Sequence, residues 1–233
     1  MHYLVEFMTY ILSDVHGEYD LFLALLRRIS FCDRDVMYIC GDVIDKGRAP
    51  ARLARLVSKY PNIKVILGNH EYEFLKYYHS LMADETADTD SVMSLLREYF
   101  VDGDYLDWDT VDFIESLPAY IETEDFICAH SGIPILPCGT LAPLDSLSDE
   151  ELLYDRRFKE RTAVHHSPKC VFFGHTETNY VNGKNEIIAY PRAGAKPPYT
   201  ISDFYKVHLD TGTWHSGTLG CFCIENCMVY YVT

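Results

Sequence analysis

Aspartate, histidine and asparagine recur in five short blocks along this chain, and each block stands where an apolar run ends. The blocks are Asp14-Val15-His16-Gly17, Gly41-Asp42-Val43-Ile44-Asp45-Lys46-Gly47, Gly68-Asn69-His70-Glu71, Ala129-His130-Ser131-Gly132 and Gly174-His175-Thr176. Carboxylates, imidazoles and amide oxygens are the donors that hold hard-to-borderline divalent cations. Asp14 and His16 stand two residues apart, so both side chains can leave one face of their loop toward one metal. Asp42 could bridge two cations, Asn69 offers an amide oxygen, and His130 and His175 each offer an imidazole nitrogen. Taken singly, such residues are usually structural, and glycine beside aspartate usually marks a turn. Their joint occurrence in this order makes chance a poor explanation. Two cations held close together are a device for in-line displacement at phosphorus. The chemistry to expect is metal-dependent hydrolysis of a phosphate ester.

The elements that must position these blocks are legible as alternating runs. Apolar stretches at Thr9 to Ser13, Asp35 to Cys40 and Ile63 to Leu67 read as strands. Helical periodicity follows each of them, over Tyr19 to Ile29, Ala51 to Tyr60 and Glu71 to Leu81. Strand–helix–strand repeated at this spacing implies parallel strands with right-handed crossovers. Met82 to Asp109 is acidic and in part helical in character, a stretch suited to cap the site or set substrate choice. Further strands are expected at Ala119 to Thr123, Phe126 to Ala129, Cys170 to Phe173, Glu186 to Ala189, Lys206 to Leu209, Leu219 to Glu225 and Met228 to Val232. A Ser-x-x-Glu capping box at Ser148 and Glu151 starts a helix expected to run to Arg161. The fold class is therefore α/β, with two packed mixed sheets flanked by helices. In open α/β sheets the site lies beyond the carboxyl ends of the strands, where every block falls.

Composition narrows the partners. A length of 233 residues, with no low-complexity linker or internal repeat, suits a single domain over residues 1–233. A net charge of -15 with no cluster of basic residues argues against an extended nucleic-acid partner. No apolar run reaches the length of a membrane span, so no membrane is expected. The eight cysteines lie mostly in strand-like runs, which suits reduced thiols and a cytoplasmic location. Cys221, Cys223 and Cys227 form a C-x-C-x3-C cluster, read as packing because no second pair with zinc spacing exists. His165-His166 reads as a solvated pair, and His208 as a core residue.

The constellation resembles the phosphoprotein phosphatase family of calcineurin-like metallophosphoesterases, with blocks G-D-x-H-G, G-D-x-x-D-R-G, G-N-H-E, a lone histidine after a strand, and G-H. The likeness runs from about Leu12 to Gly220. It implies a metallophosphoesterase sandwich in which Asp14 and His16 hold one metal, Asp42 bridges, and Asn69, His130 and His175 hold the second. It also implies His70 as general acid, with Asp45 holding its imidazole, and a water or hydroxide shared by the metals as nucleophile. Two divalent ions follow, Mn2+ first, with Fe2+ or Zn2+ as alternatives.

Departures from that pattern bear on the substrate. Ser13 replaces a glycine, Lys46 replaces the arginine of G-D-x-x-D-R-G, and Leu67 replaces the arginine that often precedes G-N-H. Lysine keeps the charge but not the bidentate fork. Arg48 can compensate for Lys46, and Leu152-Leu153-Tyr154-Asp155-Arg156 resembles L-L-W-x-R, which makes Arg156 a phosphate contact. The first expectation is a serine/threonine-type phosphatase acting on a phosphoprotein or a small phosphate monoester. Leu67-Gly68-Asn69-His70, Ala129-His130-Ser131-Gly132-Ile133 and Leu209-Asp210-Thr211-Gly212 also resemble the symmetrical dinucleoside tetraphosphatases. Hydrolysis of dinucleoside polyphosphates is the alternative.

Overall fold

Two five-stranded sheets lie face to face in the computed structural model, which describes residues 7–83, 88, 90, 92 and 106–233. In the first sheet, β1 (Thr9–Leu12), β2 (Val36–Ile39) and β3 (Ile63–Val65) run parallel. They alternate with α1 (Tyr19–Arg28), α2 (Pro50–Ser58) and α3 (Asn69–Met82). Helix α4 (Trp108–Glu115) leads into the second sheet, with β4 (Tyr120–Glu122), β5 (Phe126–Ala129), β6 (Cys170–Phe173), β7 (Ile188–Pro191) and β8 (Phe204–His208). Its order is β4-β5-β6-β8-β7, with β5, β6 and β8 parallel. Helices α5 (Asp149–Tyr154), α6 (Asn179–Asn182) and α7 (Thr213–Ser216) are short. The chain then returns to the first sheet, where β9 (Leu219–Cys223) pairs antiparallel with β1 and β10 (Met228–Val232) with β9.

Side-chain alternation decides which faces meet. Phe126 and Cys128 of β5 and Cys170 and Phe172 of β6 join Ile11, Cys40 and Phe222 in the core between the sheets. Their neighbours Ile127, Ala129, Val171 and Phe173 face outward and bury Phe158 and Ile133. Tyr10 and Leu12 of β1 turn the other way, against Phe22, Leu25 and Phe74 of the helices. Period-two alternation with apolar residues on both faces is the pattern of strands covered on both sides. Cys221 and Cys223 face the helices, while Cys227 packs against the inter-sheet core, so these thiols serve packing and share no pocket.

Three expectations need correction or restriction. The helix expected over Ser148 to Arg161 has its capping box but ends at Tyr154. Asp155 is extended, and its carboxylate accepts from the backbone N–H and guanidinium of Arg157, an alternative to the next helical turn. His165 is buried, not solvated: Nε2 lies 2.6 Å from the Tyr205 carbonyl and the ring stacks on Phe158. Only His166 of that pair is exposed. Most of the acidic stretch Met82 to Asp109 lies outside the described residues. No helix among the described residues is long and apolar enough to cross a membrane.

Candidate metal centre

The carboxyl ends of β1, β2, β3, β5 and β6 deliver the five blocks to one place, two blocks from the second sheet and three from the first. Parallel pairing brings these ends to one edge of each sheet, and hydrogen bonds tie the edges together. His130 Nδ1 lies 2.8 Å from the Cys40 carbonyl, and the Gly174 amide donates to the His130 carbonyl at 2.8 Å. Close approach of backbone is essential here. A Cβ on Gly174 would collide with Asp14 and Ser13, and one on Gly41 would collide with Gly68 and His130. Asp14, His16, Asp42, Asp45, Lys46 and His175 all adopt left-handed φ between 48° and 70°. Non-glycine residues in that region carry a steric cost and collect where surrounding structure over-determines them.

Glu71 supplies much of that determination. Its carboxylate is fully buried and accepts from the backbone amides of Asp42, Val43, Ile44 and Gly68 at 2.8–3.0 Å. Burial, and then the nearby Asp42, push its pKa to about 7 against those hydrogen bonds. The G-N-H-E block displayed Glu71, but nothing in spacing marked it as the clamp of the Asp42 loop.

Asp42 sits at the middle. Its Oδ2 lies 3.5 Å from His16 Nε2 and 3.9 Å from His70 Nε2, and its Oδ1 lies 3.5 Å from His130 Nε2. Asn69 Oδ1 is 2.9 Å from His130 Nε2 and 2.8 Å from His175 Nδ1. The buried Asp14 carboxylate accepts from the His175 amide at 3.1 Å and from the Ser13 hydroxyl. Ligand atoms of Asp14, Asp42 and His130, and of His16, Asp42 and His70, each lie within 4.8 Å of one another. Electrostatics prepare these groups for a cation. Burial first, with neighbouring cationic groups, lowers His16 to about 4, and burial and His130 lower His175 to about 3, so both imidazoles are neutral donors. Burial raises Asp14, and the charges of Asp210 and Asp42 add to it. Burial opposes ionisation of Asp42 too, but His130, His16 and His70 outweigh it and hold that carboxyl low. The donor set is mixed N and O and crowded with acidic groups, which fits divalent cations.

The remaining expected residues divide. His70 Nδ1 lies 2.6 Å from Asp45 Oδ2, as the general-acid arrangement requires. Burial opposes charge on His70, but the Asp45 hydrogen bond and the Asp42 charge raise its pKa. Lys46 Nζ stands 3.2 Å from His16 Nε2 and 5.8 Å from the Trp214 ring centre. Arg156 is exposed, close enough to His175 for its charge to help lower that imidazole. Arg48 is exposed beside Glu18, where its charge offsets part of a burial-driven rise in that carboxyl's pKa. None of the described hydrogen bonds or ion pairs joins Arg48 to the cluster. Asp210 is a residue that sequence reasoning left without a role. It is buried near Asp14, and burial raises it to about 7.

Comparison with known proteins follows the same lines. A family model described as calcineurin-like phosphoesterase matches residues 7–198. The chain belongs to that family. This phosphoesterase is 30% identical over 129 residues to the symmetrical bis(5'-nucleosyl)-tetraphosphatase of Salmonella paratyphi C, covering 54% of this chain and 43% of the relative. The chain thus spans less than half the length of that relative. A solved structure provisionally described as a diadenosine tetraphosphatase superposes with a TM-score of 0.68 at 20% identity, covering 98% of this chain and 94% of the other. A protein serine/threonine phosphatase from Saccharomyces cerevisiae gives 0.58 at 14% identity, covering 98% and 80%. At such identities the likeness to both structures is one of fold, the metallophosphoesterase sandwich.

Proposed function

We propose that this phosphoesterase works with two divalent cations, and that dinucleoside polyphosphates are its substrate class. The observation that carries the two-cation reading is Asp42, whose oxygens face separate donor sets: His16 and His70 by Oδ2, His130 by Oδ1. Asp14 and His16 would hold one ion, Asn69, His130 and His175 the other, and Asp42 both. Mn2+, Fe2+ and Zn2+ all suit these ligands. The bound ions would supply Lewis-acid charge and a water of lowered pKa.

The chain's own groups do the rest. His70, held by Asp45, donates its proton to the leaving oxygen. Lys46 and Arg156 offset phosphate charge from the two sides of Asp42, and Arg48 contributes only at longer range. Residues 1–233 act as one domain, a reading supported by β9 and β10, which lie beyond residue 198 yet extend the first sheet, β9 pairing with β1 and β10 with β9.

Two features favour the dinucleotide over the phosphomonoester expected first. The matched relatives carry that activity in their names. Lys46 also lies 5.8 Å from the Trp214 ring centre on the His16 side of Asp42, and Tyr154 and Arg156 line one groove on the His175 side. The monoester reading, of the phosphoserine/phosphothreonine type, keeps support from Arg156 in its Leu-Leu-Tyr-Asp-Arg setting. A turnover panel with Mn2+ separates them, comparing diadenosine tetraphosphate, a phosphoserine peptide and p-nitrophenyl phosphate. Highest kcat/KM on the first is expected; a phosphopeptide preference would overturn the substrate assignment and leave the metal centre standing.

A further inference from the structure

Beside the metal centre, α3 and α5 enclose an open groove of about 510 Å³, lined by Tyr72, Glu73, Lys76, Tyr154 and Arg156 among others. That volume falls within the range of small-molecule clefts. Tyr154 lies between it and the candidate ligands, its ring centre 6.2 Å from that of His175. Tyr72 stands edge-to-face with Tyr154 at 6.4 Å, so two rings line the wall. The Tyr154 hydroxyl donates to Glu73 Oε1 at 2.5 Å, which fixes the orientation of its ring.

Charge in the groove is partly cancelled within it. Lys76 pairs with Glu73 at 3.5 Å, and Arg157 pairs with Asp155 at 2.7 Å. Arg156 has no ion pair among the described residues, and it lines the groove two residues after Tyr154, the residue whose ring approaches His175. Glu150 and Glu151 line the groove as well and have no ion pair among the described residues, so the groove carries one unpaired cation, Arg156, and an acidic rim at the start of α5. A ligand matching that cation and the two rings has a phosphate at one end and a flat uncharged ring at the other. An extended peptide is a poorer match: apart from the short segment Asp155 to Arg157 the walls are helical, and no strand lines the groove among the described residues.

We infer that this groove is a nucleoside-binding subsite, in which a nucleobase stacks on the Tyr72 ring with the Tyr154 ring set edge-on to it, while Arg156 takes the adjoining phosphate. The inference rests on the phosphoesterase reading of the metal centre and deepens its substrate assignment. Base–aromatic stacking tolerates any base, so the subsite should accept purines broadly, with larger rings favoured.

The test compares AMP with ribose 5-phosphate, which keeps the sugar and the phosphate but lacks the base. Isothermal titration of the Mn2+-loaded protein should show AMP binding more tightly by about 5- to 150-fold, the range that stacking of one base is worth. Tyr72→Ala should collapse that ratio, and Tyr72→Trp should restore or exceed it. Equal affinities for the two ligands in the wild-type protein would overturn the subsite without any variant, so a misfolded Tyr72→Ala cannot shelter it. A phosphopeptide whose affinity drops in Tyr72→Ala while AMP and ribose 5-phosphate bind alike would overturn it in favour of a peptide groove. Because binding is read directly, these outcomes stay distinct from failure to hydrolyse diadenosine tetraphosphate, which would count against the substrate proposal alone.

Discussion

Two regions of this molecule bury basic side chains, and they put them to opposite uses. At the candidate metal centre, the imidazoles of His16, His130 and His175 aim ring nitrogens at the carboxylate of Asp42 and the amide oxygen of Asn69. Behind the second sheet, His165 and His208 aim theirs at backbone carbonyls of Tyr205 and Thr176. Lys206 behaves like the latter pair: it is fully buried, donates to the carbonyls of Phe158 and Glu160 at 2.7 Å, and is surrounded by the rings of Phe158, Phe173, Tyr190 and Tyr205. Burial lowers the histidines of both regions to similar values, about 3 to 4 for His16, His175, His165 and His208. A depressed pKa alone therefore does not mark a site. What separates the regions is convergence: donors of different residues meet at common points in one, and each finds a separate backbone partner in the other. Left-handed backbone follows the same division, since Asp14, His16, Asp42, Asp45, Lys46 and His175 carry it and His165, Lys206 and His208 do not.

The contrast can be broken or sharpened by mutation. The largest effect is expected at His70. His70→Asn should retain metal while kcat falls on the order of 10²–10⁴-fold for an alkyl phosphate such as phosphoserine. With p-nitrophenyl phosphate, whose leaving group departs without protonation, the loss should be smaller. Equal losses on both substrates, or loss of metal, would remove His70 from the acid role. Arg156→Ala should come next, raising KM and lowering kcat for a combined loss of roughly 2–4 kcal/mol in transition-state binding. Unchanged steady-state kinetics in that variant would place the guanidinium outside the phosphate contacts.

Glu71→Gln turns one hydrogen-bond acceptor into a donor facing backbone N–H groups, so the Asp42 loop should loosen. Metal affinity should weaken by about 10- to 100-fold, the usual cost of losing a group that orients a ligand. Titration showing wild-type affinity would reduce Glu71 to a purely structural residue. The smallest effect belongs to the second region. Burial lowers the Lys206 ammonium to about 8 from the ordinary 10.5. Between those values the unfolded chain holds a proton that the folded chain has released, so this group makes stability rise with pH across that window. Urea midpoints at pH 8 and pH 10 should therefore shift differently in Lys206→Met, which lacks that rise. Parallel shifts would mean that Lys206 keeps its proton throughout.

How far the sequence disclosed this arrangement depended on whether the signal was local. Asp14, His16, Asp42, Asn69, His130 and His175 were legible because each follows an apolar run directly, and parallel strands must end together. The pairing of His70 with Asp45 came through resemblance, and the observed 2.6 Å contact agrees with it. Glu71 as a clamp was hidden, because its partners are backbone amides of a loop 27–29 residues earlier. The early end of α5 at Tyr154 was hidden for a related reason, since helical propensity continues past it and only the Asp155–Arg157 contact diverts the chain. Buried His165 was misjudged from its loop setting, where polarity suggested solvent; a single carbonyl of β8 and the Phe158 ring suffice to bury it.

Everything proposed for this phosphoesterase turns on Asp42 serving two cations at once. The direct measurement is metal stoichiometry: wild-type protein loaded with excess Mn2+, desalted, and analysed for bound metal, beside Asp42→Asn treated identically. Two ions per chain are expected in the wild type, and loss at both sites together is expected in the variant, because one carboxylate serves both. A wild type that retains no more than one ion, or an Asp42→Asn variant that loses one and keeps the other at full affinity, would contradict the account.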